Sequence, residues 1–153
     1  MLSPRRTFAL AATTALTGTA LLAATGSAKP ASSTVHVIEH ALTDTEIPTG
    51  GGKDVQGNIL TFNNPVYNAA NTRRVGHDEG FCTRLAPKQG IWECLWTTFL
   101  KAGQITVQGP FYDTRNSVLS ITGGTGAYRD SRGQMLLRSR NGGKEYDFIF
   151  ELS

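Results

Sequence analysis

The residues that most constrain this chain are those that interrupt it. Beyond Thr34, short runs rich in β-branched and aromatic residues alternate with clusters of Gly, Pro and Asn, and no convincing helix stands among them. Proline withholds a backbone donor, while glycine and asparagine accept positive φ, so such clusters end strands and form hairpin turns. The runs are Thr34–Leu42, Val55–Phe62, Asp78–Leu85, Ile91–Leu100, Gln104–Phe111, Ser117–Thr122, Gly133–Arg140 and Glu145–Leu152. Their connectors include Thr49-Gly50-Gly51-Gly52, Asn63-Asn64-Pro65, Pro87-Lys88-Gln89-Gly90 and Asn141-Gly142-Gly143. Eight such strands without helices predict an all-β domain, a sandwich or a closed antiparallel barrel. Closure has the advantage of leaving no exposed edge.

Alternation within the runs assigns faces. In Gln104–Phe111, Ile105, Val107, Gly109 and Phe111 share one side, and Gln104, Thr106 and Gln108 the other, as in a half-buried strand. Trp92, Cys94 and Trp96 share a face of the preceding run. An eight-stranded barrel lined this way is either filled by its own side chains or just wide enough for one small ligand. Trp92, Cys94, Trp96, Val107 and Phe111 are therefore the candidate pocket residues.

Residues 1–28 carry a different pattern. Arg5 and Arg6 precede a mildly apolar, threonine-rich run, and Gly26-Ser27-Ala28 offers small residues for a signal peptidase. Ser3-Pro4-Arg5-Arg6-Thr7-Phe8 also resembles a twin-arginine signal. The run is too polar and too short for the ~20 strongly apolar residues of a membrane span. The expectation is a cleaved export signal, a secreted protein with no stable membrane insertion, and one domain over 29–153. The whole chain has 15 Lys and Arg against 12 Asp and Glu, but two of the arginines lie in the signal. The remainder is close to neutral, with no basic stretch denser than Arg138-Ser139-Arg140, so no nucleic-acid partner is implied.

The chain's two cysteines, Cys82 and Cys94, would meet an oxidising compartment on export. If the turn between their strands centres on Lys88, Cys82 falls opposite Cys94 and Arg84 opposite Trp92. Directly opposed positions suit a cross-strand disulfide, worth about 2–3 kcal/mol in the chain-entropy view. Two free thiols in a pocket are the alternative.

More specific are the ordered segments Val75-Gly76, Gly80-Phe81-Cys82, Val107-Gln108-Gly109-Pro110-Phe111, Ser117-Val118-Leu119-Ser120-Ile121-Thr122-Gly123-Gly124-Thr125-Gly126 and Gly133-Gln134. Together they resemble the allene oxide cyclases, and the Gly-Gly-Thr-Gly element also resembles dirigent proteins, which share that barrel. The likeness spans Val75 to Leu152 and continues colinearly over Val37 to Tyr67. It implies an eight-stranded antiparallel barrel, commonly a homotrimer, with an apolar cavity that takes a small hydrophobic molecule and needs no metal or organic cofactor. In the cyclases the pocket confines an unsaturated fatty-acid epoxide while it closes to a cyclopentenone, by limiting its conformers and excluding water. A carboxylate faces the delocalised cation and an amide holds a water at the epoxide oxygen. Val37-Ile38-Glu39 resembles the segment bearing that carboxylate, Phe62-Asn63-Asn64 the segment bearing the amide, and Cys82 the pocket cysteine. Glu39, Asn64 and Cys82 are thereby the candidate catalytic residues. Two family polar groups are replaced here, an asparagine by Ala41 and a tyrosine by Phe111. A dirigent- or lipocalin-like binder without chemistry of its own is the other reading.

Other features point to structure. Asn64 before Pro65 is also a turn initiator. His36 and His40 share the strand face opposite Glu39 and lack a third metal ligand. Gly123 to Gly126 has no following Gly-Lys-Ser/Thr and fits a turn that needs positive φ rather than a phosphate cradle.

Overall fold

The computed structural model describes residues 33–153, so the expected export signal at 1–28 lies outside the described residues. Nine strands follow one another: β1 (Ser33–His40), β2 (Thr45–Ile47), β3 (Ile59–Asn68), β4 (Arg74–Ala86), β5 (Ile91–Leu100), β6 (Gly103–Tyr112), β7 (Ser117–Gly124), β8 (Gly133–Arg140) and β9 (Glu145–Leu152). Neighbours from β3 to β9 pair as antiparallel hairpins, β9 pairs with β1, and β1 pairs with β3, which closes the sheet. The eight long strands therefore form a closed antiparallel barrel, and the short β2 continues alongside β3.

Closure is what the alternating pattern permits. Val37, Val66, Trp96, Val107, Leu119, Met135, Phe148 and Phe150 face inward and make one core. Ile105 and Val107 are buried on β6 while Gln108 is exposed, as the sequence predicts. The β4–β5 register also follows the expected arithmetic, with Cys82 opposite Cys94 and Arg84 opposite Trp92. The turn there is a short helical turn over Pro87–Gln89, ended by Gly90 at φ 63°.

One region departs from expectation. The second run was predicted to begin at Val55 and end at Asn63-Asn64-Pro65, yet β3 begins at Ile59 and passes through that triplet to Asn68. The third begins at Arg74, not Asp78. A proline can sit inside β3 because the strand has only one neighbour there. On one side β3 pairs with β4 throughout; on the other it pairs with β2 at Ile59–Thr61 and with β1 at Val66–Asn68. Between those contacts the chain at 41–44 leaves the barrel wall, and the β3 ladder is open where Pro65 has no N–H to offer. Side chains fill the opening: Thr43 Oγ1 accepts from the Asn63 N–H at 2.7 Å, and Asn64 Oδ1 accepts from the N–H groups of Leu42 and Thr43, each at 2.9 Å.

Candidate functional site

The gap beside β3 is the floor of a pocket. Glu39 closes β1 on one side of it, Asp44 follows the loop on the other, and Asn64 stands between them. The Asn64 amide donates to Glu39 Oε1 at 2.7 Å and to Asp44 Oδ1 at 2.7 Å. Its carbonyl oxygen takes the two loop N–H groups and the Thr43 hydroxyl, the last at 3.1 Å. Both amide protons and the carbonyl are thus fully engaged. Asn64 organises two carboxyls and a loop rather than holding out a free amide.

A third carboxyl lies behind Glu39. Asp78 on β4 is opposite Asn64 on one side and Thr98 on the other, and is completely buried. Neither of its oxygens has a hydrogen-bond donor among the described residues. The Glu39 carboxyl stands beside it, and two ionised carboxyls would repel, so the pair keeps a proton. Burial pushes Asp78 from 3.8 up to about 10, with the Glu39 charge adding to the rise. Burial likewise lifts Glu39 from 4.5 to about 7; the Asn64 hydrogen bond opposes this and the Asp44 charge reinforces it. Near neutral pH the pair keeps one proton on Asp78 while Glu39 is poised between its two states.

The walls above are largely apolar. Leu60 and Phe62 come from β3, Trp96 from β5, Phe111 from β6, Leu137 from β8, and Tyr146 with Phe148 from β9. Phe62 meets Trp96 edge-on with ring centroids 6.0 Å apart, Trp96 meets Phe148 at 5.4 Å, and Phe111 meets Tyr146 edge-on at 5.8 Å. Burial, then the charges of Glu39, Asp44 and Asp113, push the Tyr146 hydroxyl up to about 12, so it stays protonated. About 410 Å³ of empty space, including the open mouth, lies between these walls. The enclosed part open to a guest is about 60 Å³, well below the ~300–1,000 Å³ of small-molecule sites, so a guest larger than a water or two enters only as the wall side chains move.

Glu39, Cys82, Cys94, Trp96 and Phe111, singled out from the sequence, line this pocket. Cys82 and Cys94 are joined as a disulfide, so Cys82 presents a sulfur wall and no thiol. Trp92 and Val107 do not line it. Val107 packs in the core, and Trp92 sits toward the barrel end, its indole N–H donating to Asp113 at 3.0 Å with the Arg84 guanidinium over its ring at 4.4 Å. Arg84 in turn bonds Asp54 and Asp113, each at 2.7 Å. The histidines are occupied on the outer face: His36 bonds Asp147 at 2.8 Å, and His40 bonds Asn71 at 2.8 Å while stacking on Tyr67. Among the described residues no group of His, Cys, Asp and Glu could hold a metal ion, and no helix is long and apolar enough to cross a membrane.

Sequence reasoning missed Asp44, Asp78 and Tyr146. Asp78 had a usable signal, since it lies two and four residues before Gly80 and Cys82 on the inward face of β4. Read as the first residue of its strand, it passed as a boundary residue.

Solved structures share this architecture. A pyocyanin demethylase superposes with a TM-score of 0.69 at 22% identity, covering 79% of this chain and 100% of that one. A pterocarpan synthase dirigent protein gives 0.65 at 18% identity, covering 82% and 99%. An exo-specific intermolecular Diels-Alderase gives 0.63 at 16% identity, covering 80% and 98%. At these identities the likeness is one of fold. The match that speaks to descent is with the family model of the allene oxide cyclases, which takes in residues 37–140 and therefore β1 through β8, the carboxyl cluster and the disulfide; the chain belongs to that family.

Proposed function

We propose that the barrel binds a small, hydrophobic, unsaturated molecule in its interior and cyclises or isomerises it without a cofactor. The observation that carries this reading is Glu39, buried, hydrogen-bonded by Asn64 and lining an aromatic pocket, with the buried Asp78 carboxyl behind it. Ionised Glu39 opposes positive charge that develops on a delocalised intermediate, and in that low-dielectric setting a fixed charge acts strongly. Poised near neutrality, it also accepts a proton from one carbon of the guest and returns it to another, while the neighbouring Asp78 keeps its own. The aromatic walls restrict the conformers of the guest and keep water out. The names of the structural neighbours, a demethylase, a pterocarpan synthase dirigent protein and a Diels-Alderase, support small-molecule chemistry on this fold.

The test is turnover of a panel of unsaturated epoxides and conjugated dienes, with product stereochemistry read by chiral chromatography. Glu39→Gln keeps the shape and removes the charge, and is expected to slow the active substrate by roughly a hundredfold or more. Equal rates for Glu39→Gln and the parent protein would end the carboxylate's role.

A dirigent- or lipocalin-like binder is the second reading. It is favoured by Phe111 in the pocket wall and by the disulfide, which removes the Cys82 thiol. It predicts that a guest is bound, and its products biased in stereochemistry, whether or not residue 39 carries a charge. Secretion and assembly as a homotrimer belong to the same proposal. The disulfide supports an oxidising compartment, and sedimentation equilibrium of residues 29–153 tests the trimer.

A further inference from the structure

The pocket has a one-sided electrical character. Glu39 and Asp44 bring two carboxyls to it, and among the described residues no lysine, arginine or histidine lines it. Arg84 has its guanidinium engaged by Asp54 and Asp113 and lies outside the lining. The remaining walls present the rings of Phe62, Trp96, Phe111, Tyr146 and Phe148. Aromatic faces carry negative quadrupole potential and attract cations, most strongly where water is excluded. A neutral apolar guest would gain nothing from two carboxyls on its floor and would desolvate them at a cost.

A second observation points to a ligand. Trp96 lines the pocket and is 97% buried, its residual exposure being 3%, yet its indole N–H has no acceptor among the described residues. An indole nitrogen only donates, so the group it awaits is an acceptor. The Thr98 hydroxyl, next along the same face of β5 and opposite Asp78, is buried and unpartnered too.

We propose that the guest is a planar organic cation, an N-alkylated or otherwise positively charged heteroaromatic, that also carries a hydrogen-bond acceptor for Trp96. The assignment rests on the reading that the barrel interior is the ligand site, and it names the class of compound that site takes. The positive ring lies among the aromatic walls and faces Glu39 and Asp44. No bond is made or broken in binding. The charge acting on Glu39 comes from Asp44 on the loop; Asp78 on β4 stands beside it uncharged, Asn64 on β3 donates to it, and Tyr146 on β9 lies opposite it in the β1–β9 register. With Asp78 protonated, the floor carries the charges of Glu39 and Asp44, and acidification through about 7 removes the first of them.

The experiment is calorimetric titration of residues 29–153 with a matched pair, 6-methoxy-N-methylquinolinium and 6-methoxyquinoline, at a mildly alkaline pH where the second is uncharged. The cation is expected to bind about tenfold more tightly than its neutral partner. That preference is expected to shrink in Glu39→Gln, in the exposed-site variant Asp44→Asn, and below the Glu39 midpoint. Trp96→Phe keeps a ring in the wall and removes the donor. It should weaken binding of both cations through the lesser ring, and of the methoxy cation roughly threefold more than of N-methylquinolinium through the lost donor. Equal or tighter binding of the neutral quinoline would overturn the cation assignment while leaving the interior as the ligand site. Binding of neither compound would overturn both.

Discussion

Asn64 uses every hydrogen-bonding position it possesses, and this makes it the residue on which the pocket floor depends. Its amide joins Glu39 to Asp44, and its carbonyl receives two loop N–H groups that would otherwise face a gap in the barrel wall. Asn64→Ala therefore strands two backbone donors and leaves two carboxyls without a bridge. At about 1–3 kcal/mol for each buried group left unpaired, urea denaturation should show a loss of about 2–4 kcal/mol. A loss below about 0.5 kcal/mol would mean that the loop at 41–44 is held by something else. From sequence, Asn-Asn-Pro reads as a turn, because the reason it is not one is non-local. The opening that admits Pro65 is created by where β1 ends and β2 begins, and both lie across the sheet from it. The Cys82–Cys94 pairing was legible for the opposite reason. Its register depends on one hairpin, and a hairpin's geometry is written in its own turn.

At the scale of elements, the barrel end is fastened by one arginine. Arg84 on β4 reaches Asp54 in the connection between β2 and β3 and Asp113 beyond β6, with Trp92 of β5 beneath it. The partners differ in burial: the Arg84 side chain is 6% exposed, against 49% for Asp54 and 35% for Asp113. Removing the arginine leaves two carboxylates that water can reach. Removing the acids leaves a buried guanidinium with no counter-charge. Asp54→Asn with Asp113→Asn is therefore expected to cost about 3–5 kcal/mol, and Arg84→Met distinctly less. Chemical denaturation of both variants checks the order, and an Arg84→Met that is the more damaging would show that packing against Trp92 outweighs charge. Sequence alone placed Arg84 opposite Trp92 but could not supply the two acids, which come from separate connections.

For the whole molecule, the buried carboxyl pair sets how stability varies with pH. Both groups titrate higher in the folded protein than an ordinary carboxyl does, Glu39 at about 7 and Asp78 at about 10. The folded chain therefore holds protons that the unfolded chain has released, and stability falls as pH rises across that interval. Their contribution is complete below the unfolded values of about 4 and is lost first as pH climbs through the Glu39 midpoint, then through that of Asp78. Glu39 alone accounts for a decline on the order of 3 kcal/mol. The pair therefore makes the protein more stable on the mildly acidic side of neutral than above it. Asp78→Asn replaces a group that must keep its proton with one that has none to lose. Its amide stands beside Glu39 as the neutral acid does, so burial still holds the Glu39 midpoint up. Thermal melts from about pH 5 to pH 9 should show both proteins losing stability up to about pH 7, the parent continuing to decline above it and Asp78→Asn levelling off. If the two curves go on declining in parallel above about pH 7, Asp78 holds no proton there in the folded protein.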